Sequence, residues 1–307
     1  MKYHAFKNQF AEEVAAALGK NCRVMVQEIP KNNGVTKESM IVTGEEGEAV
    51  PAIWLEPYFH AYQQGTPVPA LVERFLEEYQ EVRIPGKQNM QAFLDYEKAA
   101  SHICYKIINY EKNREWLKEL PHRKILDLAL VYYYRVEQFD DRQAAIMLTG
   151  EHMERWHVTE QQLYEQAKKN TCRLLPVQMS GILQVIQEIS EDYEFDEAEL
   201  MIGGDEKMYV LTNEERYFGA VCFLYPEVAG KISDYFSDNF YILPSSIHEC
   251  IIVPDSGRII PQELRELVHD VNCQCVEKED ILSDNVYYYD RVQKKLHVVC
   301  GGRELLN

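Results

Sequence analysis

The stretch from Asn239 to Pro254 constrains the fold more than any other part of the chain. It holds two apolar runs of strand length, Phe240–Leu243 and Cys250–Val253, rich in the β-branched and aromatic residues that strands favour. A short polar turn, residues 244–249, separates the two runs. This pattern predicts two neighbouring strands at the centre of a sheet, with a chemically mixed turn at one end.

The polar turn contains the residue types of a hydrolase triad, and its candidate catalytic residues are Ser245, Ser246, His248 and Glu249. In a hydrolase, one serine would be the nucleophile and His248 its base, or Glu249 and Asp255 would form an acid–base pair. However, residues so close in sequence rarely point at one another, and neither serine lies in a GxSxG elbow. The alternative, which we favour, is that the serines cap the turn and His248 with Glu249 begins the next strand.

Composition and charge restrict the classes of partner. The chain has 307 residues, 46% of them hydrophobic, and a formal net charge of −18. This length suffices for one large or two ordinary domains with a sizeable core. Because nucleic acids and anionic membranes are also negatively charged, we expect neither as a partner, and predict a protein or small-molecule partner instead. The acidic residues are denser in the segment Glu188–Glu206. We interpret this segment as a feature that favours solubility, and a contact surface is the second interpretation.

Cysteine usage and the start of the chain bear on location and on metals. A chain of this length needs no disulfides, and the opening MKYHAFKNQF lacks the layout of a signal peptide. No apolar run approaches the ~20 residues that span a bilayer, so we expect a cytoplasmic protein with reduced thiols. The pairs Cys273-x-Cys275 and His248-x-Cys250 lack the second ligand pair of a structural zinc site, so we predict no metal and no cofactor. The eight cysteines are Cys22, Cys104, Cys172, Cys222, Cys250, Cys273, Cys275 and Cys300.

The first 85 residues predict a small unit of one helix and three strands, followed by two helices. Residues Tyr3–Leu18 carry apolar side chains at four-residue spacing, which is typical of an amphipathic helix, and Gly19 predicts its end. The polar segment around Pro85 and Gly86 predicts a boundary, giving domains at 1–85 and 86–307. The three predicted strands are Cys22–Glu28, Ser39–Thr43 and Ala49–Leu55, and the two helices are 56–64 and 69–79.

Residues 86–307 predict an α+β domain in which a mixed, mostly antiparallel sheet packs against helices. Hairpins that alternate with helices favour this class over a doubly wound parallel sheet. Besides the central pair, the predicted strands are His102–Ile108, Ile125–Val136, Ala144–Leu148, Met208–Thr212, Phe218–Leu224, Asn285–Asp290 and Leu296–Val299. The predicted helices are Met90–Lys98, Glu111–Leu120, Glu151–Trp156, 159–170, Ile182–Ile189, Pro226–Phe236 and Pro261–Val271.

The adjacent residues His122 and Arg123 are a second candidate site, because they precede the predicted strand Ile125–Val136. Two neighbouring basic side chains could bind an anion. A solvated loop accounts for them as well, and we favour the loop.

Three long segments resemble an uncharacterised domain-of-unknown-function family found mainly in gut Clostridia, and the resemblance covers most of the chain. The opening helix, the strands and the segment IWLEPYFHAY are more distantly similar to a second uncharacterised Firmicutes family, that of the YtpQ-type proteins. The resemblance implies a soluble bacterial protein and brings no activity or catalytic residues. The three segments are YEKAASHICYKIINYEKNREWLKELPHRKILDLALVYYYRV, YFGAVCFLYPEVAGKISDYFSDNFYILPSSIHECIIVPD and ILSDNVYYYDR.

Two functions from different classes stay open at this point. The first is a non-enzymatic protein that binds another protein or a small ligand, since no phosphate loop, Rossmann fingerprint or metal motif is present. The alternative is a hydrolase-like enzyme centred on the turn at 244–249. The hydrolase hypothesis predicts a pocket in which His248 lies within about 3.5 Å of a serine or a carboxylate.

Overall fold

A computed structural model describes residues 2–44, 52–136, 145–182, 184–185, 208–244, 246–299 and 305–306, with the backbone alone for residues 44, 82–91 and 305–306. The chain forms two compact units, one of residues 1–100 with 136–144, the other of residues 101–135 with 145–307. The acidic segment Glu188–Glu206 and most of the helix predicted at Ile182–Ile189 lie outside the described residues.

The first unit packs helices on one face of a small antiparallel sheet, as the sequence predicted. Its sheet has the order β1-β2-β3, and the predicted helix Tyr3–Leu18 is confirmed, with Gly19 ending it at a φ of 79°. Phe6, Phe10 and Val14 on this helix are buried in the core of the unit. The elements are α1 (Tyr3–Leu18), β1 (Cys22–Pro30), β2 (Thr36–Gly44), β3 (Ile53–Trp54), α2 (Glu56–Gln63), α3 (Val68–Leu94) and α4 (Tyr96–Ala99).

Helix α3 is longer than predicted and passes through the expected boundary. Its backbone stays helical across Pro85 and Gly86, and the two compact units divide at Ala100. Glycine costs a helix about 1 kcal/mol and proline about 3 kcal/mol, amounts that the rest of a long helix can offset. The helix therefore continues through two residues that usually end one, and the division into 1–85 and 86–307 stays a prediction.

In the part of the chain that the structure describes, the second unit begins with a four-stranded sheet of order β4-β6-β5, with β7 paired to β6. Every residue of β4 is buried, and α6 lies against this strand: the Asn170 side chain donates to the Ile103 carbonyl at 2.9 Å, and the Tyr105 backbone N–H donates to Thr171 Oγ1 at 3.0 Å. The elements are β4 (Ile103–Asn109), β5 (His122–Ile125), β6 (Leu128–Arg135), β7 (Ala145–Met147), α5 (Gly150–Trp156) and α6 (Glu160–Leu174).

A larger sheet of the second unit confirms the prediction made for the two apolar runs. Among the described residues it has seven strands in the order β14-β13-β12-β10-β11-β9-β8, so the pair β10 and β11 lies at its centre. The pair is antiparallel, with Phe240 opposite Pro254 and Ile242 opposite Ile252. The elements are β8 (Val177–Gly181), β9 (Tyr209–Asn213), α7 (Val228–Phe236), β10 (Phe240–Leu243), β11 (Cys250–Pro254), α8 (Pro261–Gln274), β12 (Val286–Asp290), β13 (Lys295–Val299) and β14 (Leu305–Leu306).

The predicted fold class is confirmed, because antiparallel sheets with packed helices make an α+β protein. The predicted strand Ile125–Val136 is divided, because the chain turns at Leu126, where φ is 56°, between the end of β5 and the start of β6. Two other predicted elements are wrong. Residues Phe218–Leu224 form a 3-10 helix over Gly219–Leu224 in place of a strand, because Phe218 takes a left-handed φ of 54° and turns the chain out of the sheet. Residues Glu111–Leu120 form turns and a short 3-10 helix at Trp116–Lys118, since Asn109 bonds the following backbone through its side chain.

Candidate functional site

The predicted catalytic residues lie in the corner between β10 and β11, residues 244–249, of which the structure describes all but Ser245. Ser246 is buried, and its Oγ accepts a hydrogen bond from the backbone N–H of His248 at 2.9 Å. The same hydroxyl donates to Glu249 Oε1 at 3.2 Å. Ser246 therefore closes a local turn, in the manner of a serine that bonds the backbone two residues ahead.

The imidazole of His248 is engaged on both ring nitrogens. The backbone N–H of Phe218 donates to Nδ1 at 3.2 Å, and Nε2 lies 3.5 Å from Asp280 Oδ1. A neutral ring that accepts on Nδ1 carries its proton on Nε2, which faces the carboxylate. The ring also stacks on Phe218 with centroids 5.6 Å apart. The distance of 3.5 Å to the Asp280 carboxylate meets the one that the hydrolase hypothesis predicted for His248. A general base, however, also needs its other nitrogen to accept the proton of the nucleophile, and Nδ1 accepts from a backbone N–H instead.

Glu249 and Asp255 do not form the acid–base pair that the sequence offered as an alternative. Glu249 precedes β11 and Asp255 follows it, so about 20 Å of extended chain separates them. Glu249 accepts from Ser246, while Asp255 Oδ2 accepts from the Tyr288 hydroxyl at 2.9 Å. Each carboxylate therefore accepts a hydrogen bond from a different hydroxyl group, and the two carboxylates share no partner in these bonds.

The corner is held in place by segments that the sequence did not connect with it. Thr212 Oγ1 donates to the His248 carbonyl at 2.8 Å, and the Ile247 backbone N–H donates to the Asp280 carbonyl at 2.8 Å. Gly219 approaches the same place so closely that a Cβ on it would lie 2.7 Å from the His248 carbonyl oxygen. The corner is therefore a packed junction of three chain segments.

The buried thiols are poor nucleophiles. Burial raises the pKa of Cys104 to about 11 and that of Cys222 to about 12, and it raises the pKa of Cys250 well above its ordinary value. These thiols stay protonated at neutral pH, and only the thiolate attacks or binds a metal. Cys273 and Cys275, by contrast, are exposed. No group of three His, Cys, Asp or Glu side chains in the described part of the chain could hold a metal ion.

Asp127 is the centre of a polar cluster that sequence reasoning missed. Its Oδ1 accepts a hydrogen bond from the Tyr287 hydroxyl at 2.9 Å, and its Oδ2 accepts from Ser283 Oγ at 2.6 Å and Asn285 Nδ2 at 2.9 Å. Tyr287 and Ser283 are fully buried, so their hydroxyls depend on this carboxylate. The cluster joins the β5–β6 turn to the start of β12, so its role is structural.

Arg123 already has an anionic partner inside the protein. Its Nε and one terminal nitrogen donate to the two carboxylate oxygens of Glu160, at 2.6 and 2.9 Å. Tyr132 donates to the same carboxylate, and the guanidinium lies over the Tyr164 ring at 3.8 Å. His122 and Arg123 belong to strand β5, so the loop we favoured for them is wrong. The bidentate pair leaves Arg123 unsuited to an external anion.

We expect Glu160→Gln to cost about 1–2 kcal/mol of stability near neutral pH. Burial raises the pKa of the Glu160 carboxyl, but the hydrogen bonds from Arg123 and Tyr132 outweigh burial and bring the pKa below its ordinary value. A lowered folded-state pKa stabilises the protein above the unfolded pKa of about 4.3 and stops doing so as the pH falls through the folded value. The difference between wild type and variant in urea unfolding should therefore shrink below about pH 4.

The control for this prediction is Glu165→Gln, whose side chain is exposed and accepts a hydrogen bond from Gln161. This variant should unfold like the wild type at every pH. A constant difference between Glu160→Gln and wild type from pH 3 to 8 would contradict the prediction.

A groove of about 490 Å³ lies between α7 and the hairpin formed by β12 and β13. It is lined by the aromatic residues Tyr225 and Tyr289, by Ala229 and Gly230 of the helix, and by several charged side chains. This volume is within the range of small-molecule sites. Sequence reasoning missed the groove, because its two walls are separated along the chain by the whole of β10, β11 and α8.

Comparison with known proteins decides the family. A family model described as a family of unknown function, DUF5688, matches residues 3–291. The chain belongs to the DUF5688 family. No curated protein and no solved structure matches it. The expectation of a family without an assigned activity is therefore confirmed for DUF5688. In the described residues of this DUF5688 member, no helix is both long and apolar enough to cross a membrane.

Proposed function

We propose that this DUF5688 protein is a non-enzymatic protein that binds a small ligand or another protein. The observation that supports the proposal best is that His248 Nδ1, the nitrogen left to act as a base, accepts from the Phe218 backbone N–H. Ser246 is likewise committed to its own turn, and the buried thiols are held protonated. The side chains nominated for chemistry thus stabilise the corner, and the groove at α7 offers a place for a ligand.

The proposal includes a setting for this function. We place the protein in the cytoplasm of a bacterium, as a soluble chain with reduced thiols and without a nucleic-acid or membrane partner. The net charge of −18 supports this setting, as does the resemblance to a family of gut Clostridia and, more distantly, to the YtpQ-type proteins.

A serine-reactive fluorophosphonate probe and a panel of generic ester and amide substrates test the proposal. We expect neither labelling nor turnover by the wild-type protein. We expect Ser246→Ala to lower the free energy of unfolding by about 1 kcal/mol, because it removes one donor and one acceptor from the buried turn.

The matched control is Ser256→Ala, because Ser256 Oγ also accepts from a backbone N–H two residues ahead but lies in an exposed turn. Its stability should stay within about 0.5 kcal/mol of wild type. Labelling that maps to Ser245 or Ser246 and disappears in the corresponding alanine variant would contradict the proposal and support the hydrolase alternative.

A further inference from the structure

We propose that the groove between α7 and the β12–β13 hairpin binds the phosphate group of a small organic phosphate. This inference rests on the proposed binding function and adds to it a site and a ligand class. It stands on three observations: free backbone donors, the unpartnered hydroxyl of a buried tyrosine, and an excess of cations in the lining.

The first observation is a pair of free donors at the start of α7, a helix of nine residues. The first turn of any helix leaves backbone N–H groups without partners inside the helix. Here Val228 donates to Tyr225 and Lys231 donates to Glu227, whereas the N–H groups of Ala229 and Gly230 make no hydrogen bond within the described chain. Both residues line the groove. Free N–H groups at the positive end of a helix dipole favour an anion.

The second observation is the hydroxyl of Tyr289. The residue is only 6% exposed and its ring stacks on Phe240 at 5.2 Å, yet its hydroxyl has no hydrogen-bond partner among the described residues. It faces the helix, since a Cβ on Gly230 would lie 3.8 Å from it. Burial and the nearby carboxylates of Asp234 and Asp290 raise the pKa of Tyr289, so the hydroxyl stays protonated and available as a donor. The ring of Tyr289 is therefore buried, whereas its hydroxyl lines the groove and can donate to a ligand there.

The third observation is the charge of the lining. Three cations, Lys231, Arg291 and Lys294, line the groove against two carboxylates, Glu227 and Asp234. Both carboxylates are mostly exposed and pair with cations, Glu227 with Lys231 and Asp234 with Arg291, each at 3.4 Å. Lys294 makes no ion pair within the described part of the chain, so the lining residues carry one more positive than negative charge, with the Asp290 carboxylate nearby but outside the lining. This local sign is opposite to the charge of the whole chain, −18.

A phosphate matches this donor set better than a carboxylate does. It offers three terminal oxygens and up to two negative charges, enough for two backbone N–H groups, a hydroxyl and a lysine. The aromatic rings of Tyr225 and Tyr289 and the methyl group of Ala229 provide apolar lining for an organic part next to it. The volume of about 490 Å³ holds a molecule larger than the free anion.

Titration of the full-length protein with inorganic phosphate, phenyl phosphate and benzoate, followed by amide resonances in ¹H–¹⁵N spectra, tests the proposal. We expect saturable shifts of the Ala229 and Gly230 amides, with a Kd for inorganic phosphate on the order of 1 mM. Phenyl phosphate should bind about tenfold more tightly than phosphate, because it adds a ring to the apolar lining. Benzoate should bind more weakly than phenyl phosphate.

Four variants locate the site. Tyr289→Phe removes only the hydroxyl, and Lys294→Asn removes a charge at a residue whose φ of 53° asparagine tolerates, so each should weaken phenyl phosphate binding about five- to tenfold. Glu227→Gln removes a competing carboxylate and should strengthen binding about threefold. The control Lys295→Gln removes the neighbouring charge outside the groove lining and should change binding less than about twofold.

Opposite effects of Lys294→Asn and Glu227→Gln cannot come from a general loss of structure. The absence of saturable shifts at Ala229 and Gly230 with both phosphates would overturn the inference and leave the proposed non-enzymatic function standing. Equal affinities in wild type, Tyr289→Phe and Lys294→Asn would also overturn it. Binding accompanied by release of phenol would support the site and contradict the non-enzymatic function.

Discussion

Replacing Gly219 with alanine is expected to lower the free energy of unfolding by about 3 kcal/mol or more. A Cβ at this position would lie 2.2 Å from Thr212 Oγ1, 2.7 Å from the Asn213 backbone nitrogen and 2.7 Å from the His248 carbonyl oxygen. Two of these atoms belong to the backbone, so rotating a side chain cannot relieve the contact. Overpacking a core position costs about 1–3 kcal/mol, and backbone displacement brings the cost to the upper end of that range or above it.

Urea unfolding followed by far-ultraviolet circular dichroism measures this loss. The matched control is Gly150→Ala at the first position of α5, where a Cβ would meet its nearest neighbour, the Glu119 carbonyl oxygen, at 3.9 Å. Alanine also favours helix over glycine, so the control should be neutral or slightly stabilising. A Gly219→Ala variant within about 1 kcal/mol of wild type would show that β9 and the corner can move apart at little cost.

The second large effect is expected at Asp127. Asp127→Ala removes the acceptor of three hydrogen bonds and leaves the buried hydroxyls of Ser283 and Tyr287 without it, at a cost of about 2–4 kcal/mol. The unfolding free energy in urea is again the measurement. Asp238→Ala is the control, because its exposed carboxylate accepts one hydrogen bond from the next residue in the chain, Asn239.

A double-mutant cycle distinguishes the interaction between Asp127 and Tyr287 from an unspecific loss of stability caused by changing Asp127. Tyr287→Phe removes the hydroxyl that donates to Asp127 Oδ1. The double variant should therefore lose about 1 kcal/mol less unfolding free energy than the sum of the losses in Asp127→Ala and Tyr287→Phe. Simple addition of the two single effects would contradict a direct interaction between the two side chains.

Local sequence patterns predicted those elements whose stabilising contacts are made between residues close together in sequence. Four-residue spacing and a following glycine specified the helix Tyr3–Leu18. Two runs of β-branched and aromatic residues around a turn specified the pair β10 and β11. The α+β class followed from the order of such elements. In the corner at 246–249, the bonds of Ser246 are also local, so the interpretation of this serine as a turn residue needed no tertiary information.

Tertiary structure decided the rest, because the decisive partners are far apart in sequence. Asp127 bonds Ser283 and Tyr287, which lie more than 150 residues further along the chain. The free donors of α7 and the Tyr289 hydroxyl line the same groove, although β10, β11 and α8 separate them in sequence. The segment Phe218–Leu224 has the composition of a strand, yet the left-handed φ of Phe218 turns it out of the sheet, and Gly219 in the 3-10 helix that follows lies close against β9 and the corner. Composition and periodicity report what each segment favours alone, whereas packing in three dimensions sets which polar groups are satisfied and which stay free to bind a ligand.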